Sequence, residues 1–258
     1  MLKKNLAVLL TGILFCPAII AQPCTLPSSA WSTYTKIRSM PGADSRIFEV
    51  TSPQGLKGLI DRSGKIVLPV VYKTVGNISN DRVVCIQQDK KYVLANVKTG
   101  SVLPLPYKKV SPTINDGTII IEDVKPLMIG LKGEVLIRPG LYQSIGDAAF
   151  GTVPVMKNKL YGYCDLNGSE LIPCKYYYAG TMEKGIGIVQ KQSQGVVTEG
   201  AVNSKGVEVI KPVYARVKHI NNLLAAKNND DLYALFSADG KQLSDFIYSN
   251  IFTVENED

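Results

Sequence analysis

Histidine is almost missing from this chain: His219 is the only one in 258 residues. It lies in Val217-Lys218-His219-Ile220. Nothing in the sequence points to a serine or cysteine nucleophile for it, so a histidine-based triad has no support. It reads as a surface or rim histidine. Five cysteines are present, but none form a CxxC or the Cys/His spacing of a zinc site. Phosphate loops are also missing, because Gly185-Ile186-Gly187 precedes a strand pattern rather than a helix. No apolar pattern of helical period extends past two turns, apart from a possible turn near Ser28 to Thr33. The lysines are scattered along the chain, on expected strand faces and turns. That argues against a nucleic-acid footprint, which gathers basic residues on one surface. Nothing here calls for a cofactor or a metal.

Long apolar runs are lacking too, with one exception at the start. Lys3 and Lys4 precede an apolar stretch from Leu6 to Ile20, and Ala21 offers a small residue before a cleavage point. A run of roughly 15 residues, broken by Gly12 and Pro17, falls short of the ~20 that span a bilayer. Residues 1–21 therefore read as a secretory signal peptide. The expected location is periplasmic or secreted, with no stable membrane span after cleavage. A lipoprotein is disfavoured, because Phe15 and Pro23 precede Cys16 and Cys24 where a small residue is wanted. Removing Lys3 and Lys4 leaves 27 basic and 22 acidic side chains, a net charge of +5. The mature chain keeps Cys24, Cys85, Cys164 and Cys174, which allow three pairings in an oxidising compartment. If Asn167-Gly168 makes a two-residue hairpin turn, Cys164 faces Leu171 and Cys174 faces Tyr161. The two sulfurs are then on the order of 10 Å apart, too far to bond. Free thiols are favoured slightly, and the pairing stays open.

What the chain has in abundance is one repeated phrase. A turn glycine is followed by an apolar run, usually a proline, then tyrosine. The glycines are Gly64, Gly100, Gly133, Gly168, Gly206 and Gly240, and the tyrosines are Tyr72, Tyr107, Tyr142, Tyr176, Tyr214 and Tyr248. Pro69, Pro104, Pro139, Pro173 and Pro212 lie between them. A fixed period of this size marks a repeat architecture whose units bury apolar faces against their neighbours. Short runs of period 2 with turn glycines between them predict strands. Val83–Ile86, Ile119–Ile121 and Leu223–Ala226 are expected as first strands, Lys57–Asp61 and Leu232–Ser237 as second strands, and Val67-Leu68 and Val209-Ile210 as third strands. Proline donates no ladder bond, so the third strand is expected to end at it. Aspartates such as Asp61, Asp165 and Asp239 sit at the turns, where they bond their own backbone. One structural tyrosine per unit is the expectation for the six recurring tyrosines.

Leu160-Tyr161-Gly162-Tyr163-Cys164-Asp165, then Gly168 through Ile172-Pro173-Cys174-Lys175-Tyr176, resembles the unit of the bacterial WG-repeat family. Lys57-Gly58-Leu59-Ile60-Asp61 with Gly64 through Pro69 resembles it as well. The resemblance covers about Phe48 to Tyr248. The tryptophan of the motif is replaced by Lys57, Tyr92, Tyr161, Glu199 and Tyr233, and its glycine survives as Gly58, Gly162 and Gly200. The third unit has no clear counterpart around Pro126-Leu127-Met128. The resemblance implies repeat architecture and secretion in many members, and no reaction.

The expected fold is all-β, with six repeats of ~35 residues, each of three to four short strands. Residues 22–33 form an N-terminal linker and residues 34–258 the WG-like repeat domain, large enough for a sizeable core. Tyr34-Thr35-Lys36-Ile37 echoes Tyr72-Lys73-Thr74-Val75, so the chain starts and ends at one phase. A propeller-like ring is preferred on that ground, with an open β-solenoid as the alternative.

Two functions of different class are open. One is a non-catalytic secreted scaffold binding a protein, peptide or glycan partner. The other is a secreted hydrolase of glycan or peptide, with carboxylates meeting in a central channel. Glu122, Asp123 and Asp147 are its candidates only by elimination. The fifth unit is interrupted by a polar insert, Gln190 to Glu199, and inserts in repeat proteins map to loops on the binding face. The expected partner surface is therefore Tyr176, Tyr177 and Tyr178 with Gln192 and Gln194.

Overall fold

The computed structural model describes residues 26–40 and 46–251. The expected signal peptide, Cys24 and the acidic tail lie outside the described residues. Among the described residues one short helix, α1 (Ser28–Thr33), precedes 22 strands in six antiparallel sheets. The first sheet is β1 (Lys36–Ser39), β2 (Ile47–Thr51), β3 (Lys57–Asp61) and β4 (Ile66–Tyr72). The second is β5 (Thr74–Ser79), β6 (Arg82–Ile86), β7 (Tyr92–Asn96) and β8 (Val102–Leu105). The third has three strands, β9 (Thr118–Ile121), β10 (Leu127–Gly130) and β11 (Val135–Ile137). The fourth is β12 (Ser144–Ile145), β13 (Thr152–Lys157), β14 (Leu160–Asp165) and β15 (Glu170–Tyr176). The fifth is β16 (Tyr178–Ala179), β17 (Ile186–Ser193), β18 (Val196–Asn203) and β19 (Glu208–Tyr214). The sixth is β20 (Arg216–Ile220), β21 (Leu223–Lys227) and β22 (Tyr233–Phe236).

Each sheet is a meander in chain order. Isolated bridges stand in for the fourth strand where a sheet has three: Val110 pairs with Ile121, and Tyr233 with Tyr248. The all-β repeat fold is thus as the glycine–tyrosine phrase predicts, with two corrections. Val83–Ile86, Ile119–Ile121 and Leu223–Ala226 are second strands. The stretch just after each tyrosine forms the first, a short and partly polar strand that period-2 scanning passes over. The unmatched stretch at Pro126-Leu127-Met128 leads into β10.

The second correction concerns proline. β4, β15 and β19 run through Pro69, Pro173 and Pro212 to their tyrosines. Each has its register broken opposite a glycine, Gly58, Gly162 or Gly200. A Cβ on Gly162 would lie 2.4 Å from the Ile172 carbonyl oxygen, and Gly58 and Gly200 are as tightly covered, at 2.7 and 2.5 Å. The bulging outer strand presses onto a bare Cα. A bulge on an outer strand leaves proline no ladder bond to forfeit.

Turn chemistry fixes the other ends. Asp165 Oδ1 accepts the amides of Asn167 and Ser169, at 2.9 and 2.8 Å, while Gly168 takes φ +83°. Asp61 does the same with Ser63 and Lys65. Asp239 differs, in that its carboxylate takes the Ser237 hydroxyl. The turn is wider than the expected two-residue Asn167-Gly168, so Cys164 pairs with Glu170 rather than Leu171. Cys85, Cys164 and Cys174 are all free thiols.

The core is a series of layers between sheets. Leu59 and Leu68 of the first sheet pack on Val83 and Cys85 of the second. Val84 and Leu94 meet Ile119 and Ile129 of the third, and Met128 and Ile137 meet Val153 and Val155 of the fourth. Tyr163 and Tyr176 pack on Val189 and Val202 of the fifth, and Ala201 and Ile210 on Leu224 and Phe236 of the sixth. At the start of the series, Leu26 and Ala30 cover Val50 and Ile60. Among the described residues no apolar cluster joins the sixth sheet to the first.

Candidate binding surface

The antiparallel meander brings two features to one end of every sheet. These are the turn joining the second strand to the third, and the tyrosine that closes the last strand. In the fourth sheet Lys157 pairs with Leu160 at the turn, and Tyr161 pairs with Tyr176. A single residue, Tyr177, then carries the chain into the fifth sheet, as Lys73 and Ala215 do at two other junctions.

Tyr72, Tyr142 and Tyr176 are buried. Their rings fill the layer between sheets, and the Tyr142 hydroxyl donates to the Gly168 carbonyl at 3.0 Å. Tyr176 is fully covered, and its hydroxyl donates to Glu208 Oε1 at 2.8 Å. The Lys175 and Lys191 ammonium groups lie 5.1 and 5.9 Å from its ring centre. They also pair with Glu208, at 3.3 and 3.4 Å. Burial is the strongest influence on the Glu208 carboxyl and raises its pKa. The Tyr176 hydroxyl, Lys191 and Lys175 together outweigh it, so the carboxyl titrates below its ordinary value. Tyr176 was expected on the partner surface, but it offers no exposed face. It anchors the exposed pair beside it.

Tyr177 and Tyr178 are exposed, at 47% and 46%. The Tyr177 amide donates to the Gln190 carbonyl at 2.8 Å, and Tyr178 pairs with Gln190 across the ladder. Tyr161 lies behind Tyr178 with ring centres 5.7 Å apart. The ladder between β17 and β18 has eight residue pairs and ends at Ser193–Val196, against six pairs in the fourth sheet. The polar insert is therefore a strand extension, not a loop. Gln194 and Gly195 close it with φ of +50° and +82°. Gln192, Gln194, Val196 and Val197 are all exposed on this extension. Gln192 pairs with Val197, two positions beyond Gln190, so Gln192, Val197 and Tyr178 share one face.

The carboxylates named for a hydrolase do not converge. Asp123 Oδ1 accepts the Lys109 amide at 2.9 Å, and Glu122 pairs with the Lys109 ammonium. Asp147 lies in the turn between β12 and β13, at the opposite end of its sheet. One cleft of about 320 Å³ is lined by Arg38, Met40, Thr74, Asn77, Pro112 and Thr113 among others. Another of about 260 Å³ is lined by Arg82, Leu94, Asn96, Ser101, Leu131 and Lys132 among others. Among the described residues neither cleft has a carboxylate in its wall. His219 pairs with Leu224 within the sixth sheet.

Two features escaped sequence reading. Glu49 is a buried charge, 3% exposed, held by Arg38 at 3.0 and 3.1 Å and by Lys57 at 3.1 Å. Nothing in Ile47-Phe48-Glu49-Val50 marks it, because its partners come from two other strands. Glu208 does carry a signal, since it follows Gly206 by two residues as Glu170 follows Gly168.

No curated protein matches the chain. Solved structures similar to it include the computationally designed Ika8 protein, at 13% identity and TM-score 0.45, covering 87% of this chain and 78% of that one. BamB from Moraxella catarrhalis is similar at 15% identity and TM-score 0.38, covering 82% and 74%. The WD40 β-propeller domain of Doa1 is similar at 11% identity and TM-score 0.34, covering 82% and 85%. The family model of the WG containing repeat matches residues 58–92 and 161–193. Each matched stretch begins in the third strand of one sheet and ends in the next sheet, so the matched unit spans the junction between two sheets.

Proposed function

We propose that this chain is a non-catalytic repeat scaffold that binds a protein, peptide or glycan partner through the tyrosine end of its fourth and fifth sheets. One observation carries the proposal. Tyr178, Gln192 and Val197 share one exposed face of an over-long hairpin and the strand beside it, with Tyr177 exposed next to them, while Tyr176 is locked to Glu208. Exposed aromatic and aliphatic side chains on a rigid, hydrogen-bonded ladder suit recognition, because little order is lost on binding. The two clefts without carboxylates favour a scaffold over a hydrolase. Lys3, Lys4 and the apolar stretch to Ile20 support export to the periplasm or beyond, with cleavage after Ala21.

The test is recovery of partners from the native cell envelope on immobilised mature protein. Deleting Gln192 to Gln194 should release the partner and leave the melting temperature nearly unchanged. Undiminished capture by the deletion variant would refute the surface. A large fall in melting temperature would show the hairpin to be structural.

A further inference from the structure

Lysines that look scattered in the sequence are gathered by the topology. The tyrosine end comprises the turns at 51–57, 86–92, 121–127, 157–160, 193–196 and 227–233. It also comprises the crossovers at 34–36, 72–74, 105–110, 138–144, 176–178 and 214–216. Together these segments hold thirteen lysines and arginines against five acidic residues. The opposite end comprises Arg46 and the turns at 61–66, 79–82, 96–102, 111–118, 130–135, 145–152, 165–170, 183–186, 203–208, 220–223 and 236–242. It holds nine basic residues against ten acidic, one of which, Glu208, reaches Lys175 and Lys191 with its carboxylate. The modest net charge of the chain therefore conceals a strongly one-sided field.

Part of that charge is tied up locally, as in the Lys91–Asp89 and Lys227–Asp231 pairs. Lys36, Lys73, Lys108, Lys157 and Lys159 are exposed and make no ion pair among the described residues. They come from the first four sheets and their junctions. A single small anion cannot touch groups spread over so many turns, whereas a polymer with a charge on each unit can.

We propose that the tyrosine end binds an acidic polysaccharide, a chain of carboxylated or sulfated sugars. Its anions lie along the unpaired lysines, and a sugar ring packs on Tyr177 or Tyr178. This rests on the binding surface proposed above and gives its partner a chemical class. The C–H face of a sugar ring matches an exposed tyrosine face, and its hydroxyls match the amides of Gln192 and Gln194. A lipid bilayer fits less well. The leading tip of the hairpin is Ser193-Gln194-Gly195, and polar groups there would enter the membrane first.

The experiment measures binding of mature protein to polygalacturonate, to its methyl ester and to heparin, by calorimetry at two salt concentrations. The acid polymers should bind, with the ester at least tenfold weaker. Affinity for the acid polymers should fall about tenfold or more between ~50 and ~200 mM salt, as for a ligand that releases several counterions. Replacing Lys36, Lys73, Lys108, Lys157 and Lys159 by glutamine should weaken binding at least tenfold. Replacing Lys65, Lys98, Lys132, Lys205 and Lys241 removes equal charge from the opposite end and should leave binding as it was. Thermal melts confirm that both variants fold. Equal weakening by the two sets would overturn the proposal, since net charge alone would then explain binding. So would binding to phosphatidylglycerol vesicles but to neither acid polymer. If both polymers fail while the hairpin deletion still releases a captured partner, the polysaccharide falls and the binding surface stands.

Discussion

The Tyr176 hydroxyl donates to Glu208 Oε1 at 2.8 Å, tying the last strand of the fourth sheet to the last strand of the fifth. Lys175 and Lys191 complete the contact from the two sheets.

Glu208 makes this contact sensitive to acid. Its folded pKa lies below the ordinary 4.5, so its contribution is present above that value and is lost as pH falls through the folded pKa. Tyr176→Phe should cost about 2 kcal/mol at neutral pH, the range for a hydrogen bond to a charged group. Urea unfolding near neutrality and well below the carboxylate range should show the gap between wild type and variant closing in acid. A gap of the same size in both conditions would mean that Glu208 ionisation has no part in it.

The family glycine is constrained by space. An added Cβ at Gly162 would meet the Ile172 carbonyl oxygen at 2.4 Å and the Cys174 nitrogen at 2.8 Å, and backbone atoms cannot swing aside. Gly162→Ala should therefore destabilise by about 2–3 kcal/mol, the upper range for overpacking. Gly195→Ala tests the contrast: it sits at φ +82° with nothing within 4 Å, so only backbone strain of ~1 kcal/mol applies. Chemical denaturation of both variants checks the order.

Much of this architecture was legible because its signals are local. A turn glycine at positive φ and an acceptor side chain three residues earlier write themselves into the sequence, as at Asp61–Gly64 and Asp165–Gly168. The first strands β12 and β16 were not legible, because they have two residues each and owe their pairing to the neighbouring strand. Nor was the difference among Tyr176, Tyr177 and Tyr178. Three adjacent tyrosines look alike until the bulge at Pro173 decides which one turns inward. The charge asymmetry is a property of topology alone, since it appears only when turns from different sheets are brought to one end.

The thiols provide a check on the layers. Burial pushes Cys85 and Cys164 up to about 12, and both are fully covered. Cys174 is half-buried, and burial raises it as well. Only the thiolate reacts, so at pH ~8 the native protein should label Cys174, slowly, before the other two described thiols, with Cys85 and Cys164 silent until denaturant is added. Mass spectrometry after timed alkylation locates the label. Fast labelling of Cys164 in native buffer would show that the third and fourth sheets separate readily.

Gly187 and Tyr163 offer a test of packing between the fourth and fifth sheets. The Tyr163 hydroxyl donates to the Gly180 carbonyl at 2.6 Å, and an added Cβ at Gly187 would come within 2.1 Å of that oxygen. The glycine is thus small because a tyrosine from the preceding sheet fills its space. Gly187→Ala alone should cost about 2 kcal/mol, and Tyr163→Phe alone ~1 kcal/mol for the lost hydrogen bond. In the double variant the clash with the oxygen is gone, although the ring carbon at 2.9 Å remains. The two costs should then fall short of additivity by about 1 kcal/mol, within the range for residues in contact. Strict additivity in a urea double-mutant cycle would mean that the two residues do not share this space in solution.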